Sequence, residues 1–179
     1  MSETENRIIR EIAGLGVYDY AFIKSDQVVF TDVFRRLCEE NSCGMYNKSW
    51  ACPPAVGTVE ACKGKCLAFE NAFVFTSVSE LEDVYDVEEW LKFRVIHEAM
   101  TEKVVGVFRR EFENVLPLST EGCTVCKTCA YPDKPCRFPD RMFPAVEGYG
   151  IAVTQLAKAG GLSYNNGPGT LTYFSAIFF

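Results

Sequence analysis

Apolar residues recur at helical spacing in several segments of the chain. Most of these segments begin or end at residues that typically start or stop a helix. Ile8, Ile9 and Ile12 predict a helix over Glu5–Gly14, which two glycines close. Residues 86–114 carry apolar positions at steps of three, four or five, which predicts one long helix or a broken one. Three more helices are predicted: from Asp32 through Phe34 and Leu37, from Thr58 through Cys62 and Cys66, and over Ala145–Ala159 before Gly160-Gly161.

Shorter apolar runs, rich in β-branched and aromatic residues, predict the strands. Ala72–Val78 is typical of a central strand, and Val115–Leu118 is short and apolar and leads toward a cluster of cysteines. Tyr20–Ile23 and Val28–Phe30 predict either a strand pair or a strand and its exit. At the carboxyl end, the turn residues Asn165–Gly169 separate two runs that predict a hairpin, Leu162–Tyr164 and Thr170–Phe179.

This mixture of elements predicts an α/β (α+β) fold. We expect a mixed sheet with flanking helices, a C-terminal antiparallel hairpin and two cysteine-rich metal loops. No internal repeat or low-complexity linker divides the chain. We therefore expect one metal-binding domain over residues 1–179.

The most specific motif is a run of three cysteines at steps of three, followed by a fourth seven residues later: Cys123, Cys126, Cys129 and Cys136. The spacing C-x2-C-x2-C is the one by which ferredoxin-type loops hold an iron–sulfur cluster. A structural zinc ion more often takes two separated C-x2-C pairs. The sequence therefore favours a [4Fe–4S] cluster, with Lys127 and Arg137 offsetting its charge. Zinc, or four reduced thiols that pack as small apolar residues, remain alternatives.

A second group consists of Cys38, Cys43 and Cys52, the last followed by two prolines that stiffen the chain. Three thiols are one short of a closed shell. Cys62 or Cys66, one turn apart on the next predicted helix, is the candidate fourth ligand. A set of unconnected free thiols is the alternative interpretation.

Charge and composition narrow the class of protein. The net charge of −6 argues against a nucleic-acid partner. No apolar run reaches the ~18 residues that span a bilayer, and the amino-terminal residues lack the apolar core of a signal peptide. We therefore expect a cytoplasmic protein with no membrane partner, whose nine cysteines serve metal or redox chemistry rather than disulfides.

Positive charge gathers near the cysteines, since residues 43–66 and residues 123–141 each carry a net charge of +2. These cations either compensate the charge of thiolates or form a basic rim for an anionic substrate or partner.

Together the two cysteine groups resemble a widespread microbial family of predicted metal-binding proteins of unknown function. The resemblance runs from Arg36 to about Gln155. It includes Tyr46 and Trp50 between the cysteines and the segment Pro144–Val153. The chain departs from the family pattern at three positions outside the cysteines, Asn47, Ala145 and Gly148. The resemblance implies metal binding by seven cysteines, namely Cys38, Cys43, Cys52, Cys123, Cys126, Cys129 and Cys136, and it does not extend to Cys62 or Cys66.

No hydrolytic machinery is visible in the sequence, which has no His–carboxylate pair at zinc-enzyme spacing, no G-x-S-x-G elbow and no P-loop. We expect His97 to be a surface or satisfied residue and Glu147 to cap a helix or pair with a cation. Three hypotheses follow: an iron–sulfur electron-transfer protein that docks with a redox partner protein, a zinc-stabilised interaction module, and a metal- or sulfur-handling enzyme or carrier.

Overall fold

The computed structural model describes all residues, 1–179, and contains five helices and four strands. The helices are α1 (Glu3–Ile12), α2 (Asp32–Glu39), α3 (Val59–Leu67), α4 (Val87–Glu111) and α5 (Val153–Gly160). The strands are β1 (Asp19–Lys24), β2 (Asn71–Glu80), β3 (Leu116–Leu118) and β4 (Thr170–Phe178). Short 3-10 turns lie at Ser25–Gln27, Pro139–Arg141 and Glu147–Tyr149. No helix combines the length and the apolar character that crossing a bilayer requires.

The four strands form one sheet in the order β1-β2-β4-β3, with every neighbouring pair antiparallel. The α+β class predicted from the sequence is confirmed, but the sheet is antiparallel rather than mixed. The expected C-terminal hairpin does not form, because its first predicted strand, Leu162–Tyr164, is not a strand in the structure. Instead β4 lies between β2 and β3, so both of its edges are already paired.

The two faces of the sheet bury two separate apolar clusters, since successive side chains of a strand point in opposite directions. On one face, Phe73 and Phe75 of β2 pack with Ile177 of β4 and with α1 and α4. On the other face, Val74 and Ala176 pack in a cluster that includes residues of α3 and α5. The two helical layers therefore enclose the central strands.

Capping explains where several helices begin. Asp86 accepts hydrogen bonds from the backbone N–H groups of Glu88 and Glu89 and starts α4, and Thr58 caps α3. The cap of α2 is Thr31, one residue before the predicted Asp32.

The segment predicted as one helix over Ala145–Ala159 is helical only from Val153 onward. Gly150 has φ +78°, and a Cβ atom there would lie 2.8 Å from the Val59 side chain, so the chain turns sharply at this glycine. The apolar spacing before it reflects burial of Val146 and Tyr149 in the core. Similarly, Val28–Phe30 is the exit from β1 and makes only one isolated bridge, from Phe30 to Ile151.

His97 lies on α4 and joins it to the sheet. Its ring is fully buried, with Nδ1 2.7 Å from the Ser77 hydroxyl and Nε2 2.8 Å from the Ser175 hydroxyl. Burial lowers the pKa of His97 to about 3. The expectation of a satisfied residue is met, and the ring is a neutral part of the core.

This histidine should make the stability of the fold depend on pH. An unfolded histidine titrates near pH 6.5, so between about pH 6.5 and pH 3 the unfolded chain binds a proton that the folded chain does not. The contribution of neutral His97 to the free energy of unfolding is therefore fully present above pH 6.5 and is lost as the pH falls toward 3. Lowering the pH from 7 to 5 should cost about 2 kcal/mol from this group.

Urea denaturation of the metal-free wild type and of His97→Gln at both pH values measures this effect. The variant should be less stable at pH 7 but should lack this part of the pH dependence. Equal pH slopes in the two proteins would contradict a neutral buried His97.

Candidate metal centre

Two loops carry six of the nine cysteines, Cys38 lies in the last turn of α2 just before the first loop, and hydrogen bonds join the two loops. The Trp50 indole N–H donates to the Lys134 carbonyl at 3.0 Å, and the Tyr131 hydroxyl donates to Oδ1 of Asn47 at 3.0 Å. The Trp50 and Tyr131 rings also meet edge to face, with centroids 4.9 Å apart. The fold therefore brings together two loops that lie far apart in the sequence.

The four cysteines of the second loop line one small cavity of about 20 Å³. The strand β3 leads toward this loop, as predicted, and each of the four residues is partly buried. Ser49 from the first loop completes the wall with three apolar residues, Val125, Phe138 and Met142. Nowhere in the structure do three His, Cys, Asp or Glu side chains meet closely enough to hold a single metal ion. The four thiols thus surround a shared space without meeting at a point.

Hydrogen-bond donors around Cys129 favour its thiolate. Burial by itself raises the pKa of Cys129, but the backbone N–H groups of Tyr131, Trp50 and Ala130 and the Ser49 hydroxyl lower it below the usual value. Trp50 and Ser49 belong to the other loop, so that loop supplies donors to this cysteine. Burial, by contrast, raises the pKa of Cys123 to about 11.

Cations lie beside this loop as the charge pattern suggested. Arg137 donates to the Thr128 carbonyl at 2.9 Å, which holds its guanidinium against the loop. Arg141 pairs with Glu102 of α4, with Nε 2.6 Å from Oε1. The predicted role of Lys127 in offsetting the charge of a cluster stays a prediction.

Cys38, Cys43 and Cys52 line a second and much larger cavity, with a volume of about 600 Å³. Its walls include the aromatic rings of Tyr46, Trp90 and Tyr173. Burial, together with the neighbouring thiols of Cys43 and Cys38, raises the pKa of Cys52 to about 12. The three cysteines are therefore electrostatic neighbours, and Cys52 is the most deeply buried of them.

The structure does not place the proposed fourth ligands, Cys62 and Cys66, in this cavity. Both are fully buried in the apolar cluster beneath α5, and the Cys62 thiol donates to the Val56 carbonyl at 3.5 Å. Burial raises the pKa of both thiols. They pack as small apolar residues of α3.

The two cavities lie next to each other. The Cys52 thiol donates to the Glu121 carbonyl at 3.7 Å, two residues before Cys123. A Cβ atom on Gly122 would lie only 3.1 Å from the Cys52 sulfur. Glycine at this position therefore allows the two cysteine loops to approach closely.

Three charged residues of the larger cavity, Arg94, Glu121 and Glu147, were not predicted as its lining. Arg94 lies on α4 with its side chain 10% exposed, pairs with Glu121 at 3.1 Å and donates to the Gly122 carbonyl. Glu147 pairs with no cation, and its Oε2 atom is buried without a hydrogen bond. Arg141, the nearest basic residue along the chain, pairs with Glu102 instead. The spacing of residues along the chain could not predict this placement, because Arg94 and Glu147 reach the cavity from elements that are distant in the sequence.

The close approach of the loops predicts the effect of adding one methyl group. Gly122→Ala should destabilise the protein by about 1–3 kcal/mol, because the new Cβ would press on the Cys52 sulfur and the Arg94 guanidinium. The matched control is Gly64→Ala on α3, where a Cβ meets open space and should raise helix stability by up to about 1 kcal/mol. Denaturation of the metal-free proteins measures both, and an unaffected Gly122→Ala would contradict the contact.

Comparison with known proteins identifies the family of the chain. No curated protein and no solved structure gives a significant match to the chain. The model of one family does match, over residues 21–179, a range that contains both cysteine loops and the whole sheet except the first two residues of β1. The chain belongs to the family of predicted metal-binding proteins DUF2284.

Proposed function

We propose that this protein is an iron–sulfur protein that transfers electrons to or within an oxidoreductase. The observation that carries the proposal is the common cavity lined by Cys123, Cys126, Cys129 and Cys136. These four thiols are the donor set that a [4Fe–4S] cluster takes. The N–H and hydroxyl groups directed at Cys129 also fit, since such donors stabilise the charge on a ligating sulfur.

The spacing of the cysteines favours a cluster over a zinc ion. Ferredoxin-type loops hold iron–sulfur clusters with the run C-x2-C-x2-C that Cys123, Cys126 and Cys129 form. A structural zinc ion more often takes two separated C-x2-C pairs. Membership of a metal-binding family supports a metal at the site but does not distinguish iron from zinc.

The neighbouring group of three cysteines supports a redox role. Cys52 packs against Gly122, the residue that precedes Cys123. Two metal centres held by these loops would therefore be close together, as in an electron relay. A bound cluster supplies one-electron transfer. The chain itself positions the ligands, shields them with Trp50 and Tyr131, and provides hydrogen bonds to Cys129.

The surroundings of the loops suit a transient partner. Lys127, Lys134 and Arg137 lie in the second loop, and their positive charge favours docking of an acidic carrier or flavoprotein. The nine cysteines, an odd number with several at metal-ligand spacing, suit metal ligation rather than disulfides. We propose a cytoplasmic location on this basis, because a reducing compartment keeps such thiols available.

Metal analysis of anaerobically purified protein tests the proposal. We expect brown protein that contains iron and sulfide and gives an electron paramagnetic resonance signal after reduction with dithionite. Cys126→Ser should lose the signal of the four-cysteine site. Cys66→Ala, which removes a thiol from the core, should keep it. Colourless protein with stoichiometric zinc would overturn the redox function and favour a zinc-stabilised interaction module.

The hydroxyl of Ser49 provides a second test. Because it donates toward Cys129, it should stabilise the more negative, reduced state of a cluster. Ser49→Ala should therefore retain the cluster but lower its reduction potential, as measured by redox titration. Ser42→Ala, a change in the other cavity, is the control and should leave this potential unchanged. A lowered potential in both variants, or in neither, would contradict a specific bond from Ser49.

A further inference from the structure

The amino-terminal group of Cys38, Cys43 and Cys52 has three thiols and no fourth cysteine. Cys62 and Cys66 lie in the apolar core. The cavity that the three thiols line also contains carboxylates, and one oxygen of the Glu147 carboxylate, Oε2, is buried without a hydrogen bond. Its position calls for a physical explanation, because a buried polar atom without a partner is costly.

No basic side chain compensates Glu147. Burial raises the pKa of its carboxyl, and the nearby Glu121 carboxylate raises it further, while the backbone N–H groups of Glu147 and Glu121 oppose this effect. Arg94, the cation of the cavity, is bonded to Glu121 and to the Gly122 carbonyl. Arg35 is bonded to two carbonyl oxygens, those of Gly57 and Gly148, each at 2.6 Å. The positive charge that would balance Glu147 is therefore missing from the protein itself.

Glu147 is held firmly next to the cysteines. It begins the 3-10 turn Glu147–Tyr149, and the bond from Arg35 to the Gly148 carbonyl connects that turn to the helix that carries Cys38. On the other side, a Cβ atom on Gly148 would lie 3.3 Å from the Pro53 ring. Pro53 directly follows Cys52. The turn thus packs against the chain beside both cysteines.

We propose that Glu147 is the fourth ligand of a metal centre whose other ligands are Cys38, Cys43 and Cys52. These four side chains line one cavity but are not already arranged around a single ion, so they close on the metal when it binds. A carboxylate oxygen is an established protein ligand for zinc and for iron centres with mixed donors. A bound metal would supply the positive charge that Glu147 lacks, and the carboxylate would close the shell of three thiolates. This inference rests on the proposed function in one respect, the assumption that the chain holds metal centres. It adds the ligands of the second centre.

The Glu147→Gln variant tests this assignment, since glutamine keeps the shape of the side chain and removes its charge. When the wild type carries metal at both loops, we expect Glu147→Gln to bind about half as much metal per chain. The electron paramagnetic resonance or ligand-field signal of one centre should change while the four-cysteine centre is retained. Metal-free Glu147→Gln should be at least as stable as metal-free wild type, because an uncompensated buried charge is gone.

Two controls separate ligation from other effects. Glu121→Gln removes the other carboxylate of the same cavity and should keep the full metal content. The double variant Cys62→Ala/Cys66→Ala should also keep it. Full metal content in Glu147→Gln, or loss of metal in the double variant, would overturn the assignment. Absence of iron from the wild type would instead count against the proposed redox function, so the two failures are distinguishable.

Discussion

The positions of both cysteine loops depend on hydrogen bonds made by the backbone of residues 144–146. On one side, the Ser119 N–H donates to the Pro144 carbonyl at 2.9 Å, and the Val146 N–H donates to the Ser119 carbonyl at 2.8 Å. On the other side, the Ala145 N–H donates to the Ala51 carbonyl at 3.1 Å. Ser119 follows β3 and precedes the four-cysteine loop, whereas Ala51 precedes Cys52. This short buried segment therefore brings two distant loops together and also delivers Glu147.

The sheet provides the rigid base for this junction. The central strands β2 and β4 bury more than half of their residues, on both faces, with Phe73 and Phe75 packed with α4 and Val74 and Phe178 packed with α3 and α5. His97 and Thr101 add polar contacts to Ser175 within this packing. Because a close-packed interior resists deformation, the loop that follows β3 starts from a well-defined position. The flexible part of each site is thus limited to the loops themselves.

The environment of the thiols links metal binding to protonation. Burial raises the pKa of Cys52 and Cys123 to about 12 and about 11, so both are neutral thiols in the metal-free protein at pH 7. A metal must displace these protons, since thiolate is the ligating form. For Cys129, hydrogen-bond donors from its own loop and from the first loop outweigh burial and lower the pKa below its usual value. The junction between the loops therefore influences the protonation of this cysteine as well as its position.

Local sequence patterns determined those helices and strands that depend mainly on neighbouring residues. The helix starts at Thr58 and Asp86 and the apolar run of β2 each depend on neighbouring residues, and these predictions describe the structure. A metal centre at the four cysteines of the second loop stays a prediction. The α+β class and the metal-binding family follow from the same kind of information.

Tertiary contacts decided the rest. The partners of β4, the turn at Gly150 and the burial of Cys62 and Cys66 in the core depend on packing between segments distant in the sequence. Helical spacing places Cys62 and Cys66 on one face of α3 but does not specify what that face contacts. Glu147 reaches the cavity of the three cysteines only because residues 144–146 pair with Ala51 and Ser119. Periodicity along the chain cannot predict such contacts, because Ala145 bonds to a residue 94 positions away and Ser119 bonds to residues 25 and 27 positions away.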